Sequence, residues 1–122
     1  MLDYVSDHFR RIEFRCRCGD CIHSKIPAVD SVLLTALVDL RSHFMLPVDI
    51  TSAWRCENYN KIVGGAEGSR HIYGIAVDLK VAITNTKQVY GYLDYKYPGK
   101  YGIGLYDGWV HFDVRSGFGA RW

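Results

Sequence analysis

With 122 residues, 48% of them hydrophobic and 23% charged, the chain has the bulk for one globular core and not for two. Its formal charge is only +2, and acids and bases are mixed along the sequence, so it lacks the positive stripe that neutralises a nucleic-acid backbone. No stretch approaches the roughly 20 apolar residues that cross a bilayer, and Met1-Leu2-Asp3-Tyr4 opens no basic leader with an apolar run behind it. The expectation is therefore a monomer that binds neither nucleic acid nor membrane. Its localisation stays open, since neither an export signal nor an anchor is read in the chain.

Residues 1 to 26 are polar, aromatic and cysteine-containing without a clear period, which predicts an arm or loop wrapped on the domain. Cys16, Cys18 and Cys21 form Cys-x-Cys-x-x-Cys there, and Cys56 follows Arg55. Three readings stand side by side. The four thiolates can close a structural tetrahedral metal site, although only one Cys-x-x-Cys pair is present; they can form disulfides in an oxidising compartment; or they can remain thiols.

After Pro27, apolar residues recur at three and four (Val29, Val32, Leu33, Ala36, Leu37, Leu40, Phe44), predicting an amphipathic core helix that Pro47 stops. Val48 to Ala53 alternates as a short strand. Glu57 to Val63 reads as a short helix ended by Gly64-Gly65, followed by a loop from Ala66 to Arg70. Ile75 to Val81 has the period of a strand, with Ile75, Val77, Leu79 and Val81 on one face and Ala76, Asp78 and Lys80 on the other. Thr84 or Asn85 caps a second helix through about Tyr97, with Val89 and Leu93 buried. From Trp109 to Arg115, Val110, Phe112 and Val114 share one face while Trp109, His111, Asp113 and Arg115 share the other. Helices and strands without regular alternation predict a single α+β domain over 1–122: an antiparallel sheet with helices packed on one face and a cleft on the other.

Both polar strand faces carry metal-ligand residue types. In Ser69-Arg70-His71-Ile72-Tyr73-Gly74-Ile75-Ala76-Val77-Asp78, His71 and Asp78 stand seven residues apart with a glycine between them, a spacing that lets a turn bring imidazole and carboxylate side by side. With His111 arriving from a separate strand, three ligands can hold zinc and leave a fourth position for water, the open geometry of a catalytic zinc. His8, His23 and His43 read as surface or packed histidines, and the nine tyrosines as core and cleft lining.

The motif Ser-x-His-x-x-Gly-x-Ala-x-Asp, the segment Ile50-Thr51-Ser52-Ala53-Trp54-Arg55-Cys56, Asn60, Gly64-Gly65-Ala66 and Trp109-Val110-His111-Phe112-Asp113-Val114-Arg115 resemble the M15 family of zinc D-Ala-D-Ala carboxypeptidases and cell-wall endopeptidases. The likeness is to the family's short, phage-associated branch and runs from roughly residue 9 to the end. It implies the fold shared by Hedgehog domains and D,D-peptidases, with a zinc cleft formed by His71, Asp78 and His111. It also implies that Arg55 steadies a substrate carboxylate or an oxyanion, and that the substrate is a peptidoglycan stem peptide, reached in the periplasm, outside the cell, or by phage-assisted delivery from the cytoplasm. In related enzymes a proton acceptor often stands three positions before the last ligand. Here that residue is Gly108, leaving Asp107, one residue further back, and Asp113, on the strand face of His111, as the candidate bases. Two rivals to a wall hydrolase remain: a non-catalytic zinc-containing module that binds wall or protein, and a dipeptidase acting on free D-Ala-D-Ala.

Overall fold

A computed structural model of the protein describes residues 4–19, 21 and 28–122. Pro27 and, of the expected arm, residues 1–3, 20 and 22–26, His23 among them, lie outside the described residues. A hairpin of β1 (Tyr4–Ser6) and β2 (Phe9–Arg10) leads into a 3-10 turn, Arg11–Phe14. Then follow α1 (Ser31–Phe44), β3 (Val48–Ser52), α2 (Glu57–Ile62), β4 (Ala76–Val81), α3 (Thr86–Lys96), β5 (Gly102–Leu105), β6 (Val110–Asp113) and β7 (Ala120–Arg121).

The larger sheet has the order β3-β4-β6-β5-β7. Its strands are antiparallel except for β7, which runs parallel to β5. The sheet is thus antiparallel, as the irregular order of helices and strands predicted, and mixed only at one edge. The two residues of β7 are too few to show a period, and their pairing is set by the return of the chain rather than by local pattern.

Side-chain alternation divides the sheet into two unlike faces. Val48 and Ile50 of β3, Val77, Leu79 and Val81 of β4, Ile103 of β5, and Val110 and Phe112 of β6 are buried in one cluster with Leu33, Ala36, Leu37 and Leu40 of α1 and Val89 and Leu93 of α3. Both long helices therefore cover the apolar face. Their own contact includes a hydrogen bond from the Tyr92 hydroxyl to Asp39 at 2.5 Å and a stacked His43–Tyr92 pair. Helix α1 is capped by Asp30, whose carboxylate accepts from the Leu33 amide at 3.0 Å. It closes at Met45, which takes the left-handed conformation at φ 55°, two residues before the proline expected to stop it. Helix α3 is capped by Asn85, the second of the two caps the sequence offered.

The N-terminal segment is more than an arm. Phe9 and Phe14 are buried members of the same core, and the Trp54 amide donates to the Phe14 carbonyl at 3.3 Å. An aromatic pair without period left no sequence signal, yet each ring buries enough apolar area to matter to so small a core.

Leu79 sits at the centre of the apolar face with no exposed surface. Leu79→Ala is expected to cost about 2–5 kcal/mol, read from the shift of the urea midpoint at constant slope. A change of about 0.5 kcal/mol, as surface substitutions give, would contradict this placement.

Candidate metal centre

The opposite face of the sheet carries the polar residues. Asp78 on β4 and His111 on β6 are direct cross-strand partners, and Ala76 stands opposite Asp113 in the same register. His71 reaches them from the turn before β4. That turn is built by the motif itself: the Ser69 hydroxyl accepts from the His71 amide at 3.3 Å, and Gly74, at φ 73°, reverses the chain into the strand. The spacing of Ser69, His71 and Gly74 is thus a local folding requirement as well as a chemical one.

His71, Asp78 and His111 are all buried, and their ligand atoms lie within 4.8 Å of one another. The hydrogen bonds on the far side of each imidazole assign its tautomer. His71 donates its Nδ1–H to the Ala53 carbonyl at 2.6 Å, which turns Nε2 toward Asp78 Oδ1 at 3.2 Å. His111 donates its Nε2–H to Asp113 Oδ2 at 2.8 Å, which turns Nδ1 toward the same Oδ1, also at 3.2 Å. In the neutral tautomers two nitrogen lone pairs and a carboxylate oxygen face a common point, an arrangement that repels unless a cation stands between them. Around a tetrahedral zinc with bonds of about 2.0–2.1 Å, neighbouring donor atoms are about 3.3 Å apart. The donor set and both distances to Asp78 Oδ1 fit such an ion, and the tied-down far nitrogens are the orienting contacts that metal-ligating histidines use.

The same oxygen attracts protons as it would attract a metal ion. Burial pushes the Asp78 carboxyl upward, but the imidazoles of His111 and His71, in their protonated forms, outweigh it and hold the group well below the usual carboxylate range. Burial likewise opposes ionisation of Asp113, and the Arg115 guanidinium and His111 more than offset it. Burial lowers the His111 pKa, while Asp113 and Asp78 together raise it above the ordinary histidine value.

Arg55 is brought to the site, against the Asp78 carboxylate. Its Nη2 donates to Asp78 Oδ2 at 3.3 Å, its Nη1 to Asn60 Oδ1 at 3.1 Å and its Nε to the Ser52 hydroxyl at 3.3 Å. It therefore grips the carboxylate oxygen that turns away from the histidines, and Asn60, itself anchored to the Ala66 carbonyl at 3.0 Å, holds Arg55. Gly65 is required here, because a Cβ at that position would run into the Asn60 amide and the Arg55 guanidinium.

Asp113 is wholly buried behind His111. Its two oxygens take the His111 ring, the Arg115 backbone amide, and the Arg115 Nε and Nη2 at 2.7–3.1 Å. This geometry corrects the expectation of Asp113 as a proton acceptor. The imidazole separates it from the ligand cluster, and what it does is orient His111. Asp107 is exposed at the tip of the β5–β6 hairpin, beside Gly108 at φ 98°. It is absent from the cleft wall, whereas its neighbours Tyr106 and Trp109 line it.

The cleft over the ligand cluster has a volume of about 640 Å³, in the range of sites that take small ligands. One side is the loop from Gly64 to Arg70; the other is aromatic, with Tyr106 stacked on Trp109 at 4.8 Å and Trp122 lying against His111 at 5.0 Å. The Trp122 indole donates to the Tyr106 hydroxyl at 2.8 Å. Two glycines of β5 clear space for this wall: a Cβ at Gly104 would meet the Trp122 ring, and one at Gly102 would meet Asp113 and Arg115. Sequence reasoning missed Glu67, Arg115 and Trp122 as site residues. Glu67 is the carboxylate besides Asp78 that lines the cleft among the described residues.

Asp113→Asn keeps the size of the side chain and removes the charge that holds the His111 tautomer. Metal affinity is expected to fall about 10–100-fold, measured by competition with a chromophoric chelator, with the far-UV spectrum unchanged. Unaltered affinity would show that the carboxylate does not govern the ligand.

No curated protein matches the chain. A family model described as Peptidase M15 matches residues 7–113, a span that takes in the buried Phe9 and Phe14, both helices over the apolar face, and His71, Asp78 and His111 through to Asp113. The chain belongs to the peptidase M15 family.

Proposed function

We propose that the protein is a zinc-dependent peptidase that hydrolyses an amide bond in peptidoglycan stem peptides. The observation that carries this reading is the convergence of His71 Nε2, Asp78 Oδ1 and His111 Nδ1, each histidine with its other nitrogen engaged. When bound, such an ion supplies Lewis acidity, polarising a carbonyl oxygen and making water nucleophilic near neutral pH.

The chain's own residues divide the remaining work. Ala53 and Asp113 fix the two imidazoles, and Arg55 fixes the carboxylate, so that no ligand must reorganise during turnover. Arg70 lines the cleft, and no hydrogen bond or ion pair engages its guanidinium among the described residues. It is the cation placed to receive a substrate carboxylate, which stem peptides carry, whereas Arg55 is occupied with Asp78. The stacked Tyr106 and Trp109 and the Trp122 ring offer flat apolar surface to a peptide laid along the cleft. The proton acceptor comes from the rim, where Glu67 lines the wall and Asp107 stands on the hairpin tip.

Purified cell walls incubated with the protein are expected to release soluble peptide; a chelator should stop the release and added zinc should restore it. Asp78→Ala should lower the rate about a thousandfold or more, the several kcal/mol that a Lewis acid contributes. Wall binding without release would replace this reading with that of a binding module, and cleavage of free D-Ala-D-Ala alone would replace it with a dipeptidase.

Among the acids, the Glu67→Gln and Asp107→Asn variants are compared at equal zinc content. One of them is expected to lose about 10²–10⁴-fold in kcat, and normal turnover in both would reject a rim carboxylate. Arg70→Ala is expected to raise KM with kcat little changed; an unaltered KM would remove Arg70 from substrate recognition.

A further inference from the structure

A second cluster of metal-binding residue types lies away from the cleft. Cys16, Cys18 and Cys21 come from the turn that follows the 3-10 segment, and Cys56 is the N-cap of α2. Their four sulfurs lie within 4.8 Å of one another, and no disulfide joins them. Cys16 and Cys56, 40 residues apart, have their Sγ atoms at 3.8 Å. With zinc–sulfur bonds of about 2.3 Å, the edge of a tetrahedral site is about 3.8 Å.

The backbone around the sulfurs is arranged as it is around bound thiolates. The Cys21 amide donates to Cys18 Sγ at 3.1 Å, across a turn in which Gly19 takes φ 84°. The Cys56 amide donates to Cys16 Sγ and the Tyr59 amide to Cys56 Sγ, both at 3.4 Å. Three amide N–H groups thus point at three of the sulfurs, the pattern that fixes sulfur ligands and spreads their negative charge. The Arg17 guanidinium clasps the same turn onto the sheet, donating to the carbonyls of Glu13, Arg15 and Ile50 at 2.9–3.0 Å.

We propose that Cys16, Cys18, Cys21 and Cys56 together bind a second, structural zinc ion that ties the N-terminal segment to the strand exit beside the cleft. An all-sulfur, four-coordinate set selects a soft-tolerant ion and leaves no position for water, so its role is to hold structure and not to react. What it holds is specific. Between β3 and Cys56 lie Ala53, whose carbonyl orients His71, and Arg55, which grips Asp78 and whose amide donates to the His71 carbonyl at 3.1 Å. The thiols release their protons to solvent as the ion binds.

The test counts zinc in the purified full-length chain under reducing conditions. Two ions per chain are expected, falling to one in a His71→Ala/His111→Ala variant, with the remaining ion released by a mercurial thiol reagent. Cobalt loaded into that variant should show intense thiolate-to-metal charge-transfer absorption, which a site of nitrogen and oxygen ligands lacks. A folded His71→Ala/His111→Ala protein that holds no zinc or cobalt overturns the proposal. So does a native mass lighter by two hydrogens per disulfide in protein purified without reductant. In the complementary variant, Cys18→Ser/Cys21→Ser, one ion is expected to remain, bound in the cleft. Should that variant not fold, the cobalt spectrum of the histidine variant decides alone. Because the histidine variant is inactive by design, the result does not depend on which peptide the cleft cleaves.

Discussion

A single carboxylate oxygen organises this molecule. Asp78 Oδ1 faces two imidazole nitrogens at equal distance, and both approaches are fixed by covalent and sheet geometry. One histidine is its direct neighbour across the β4–β6 ladder, and the other is seven residues upstream through a turn that ends in glycine. Buried charge of this kind is costly unless it is paired. Arg55 supplies that pairing on the second oxygen, and on the first the two imidazoles leave the place of a cation, either a metal ion or their own protons. Those histidines are themselves held by a backbone carbonyl and a second buried carboxylate. The sequence of dependence runs outward from Asp78, and each outer partner explains a residue that would otherwise look incidental.

The two faces of the sheet divide stability from chemistry. Odd-numbered residues of β4 and even-numbered residues of β6 lie in the core with α1 and α3, while Asp78 and His111 between them line the cleft. A strand shared in this way couples the two tasks, since a register slip of one residue would exchange them. The local irregularity in the β3–β4 pairing, between Ile50 and Ser52, is confined to the end where the chain leaves the sheet toward Ala53 and Arg55.

Much of this could be read from the chain, and the reasons differ by residue. The two long helices announced themselves through periodic apolar residues with Asn85 as a cap, and β4 and β6 through strict alternation that put Asp78 and His111 on the polar side. Strand β5 could not be read, because Gly-Ile-Gly-Leu offers no side chain at the positions that would mark one of its faces. The β1–β2 hairpin and β7 are too short to show a period. The convergence of His71, Asp78 and His111 was legible because it combines spacing with residue type. The orienting residues were not, because Ala53 acts through its backbone and Asn60, Arg115 and Trp122 act through contacts that only the folded chain creates. Asp113 was legible as a site residue but not in its role, since alternation gives the face of a strand and not which side of an imidazole a carboxylate will occupy.

The Gly-Ile-Gly segment of β5 has a wider meaning for how such a site can change over time. Its glycines leave two slots on the cleft face, one filled by the Asp113–Arg115 pair and the other by the Trp122 ring. The same bare backbone therefore accommodates a support for the ligand His111 and a wall for whatever enters the cleft. Change in the cleft is therefore freer at the rim loops, because a methyl group at Gly102 would disturb the support of His111 and one at Gly104 the aromatic wall.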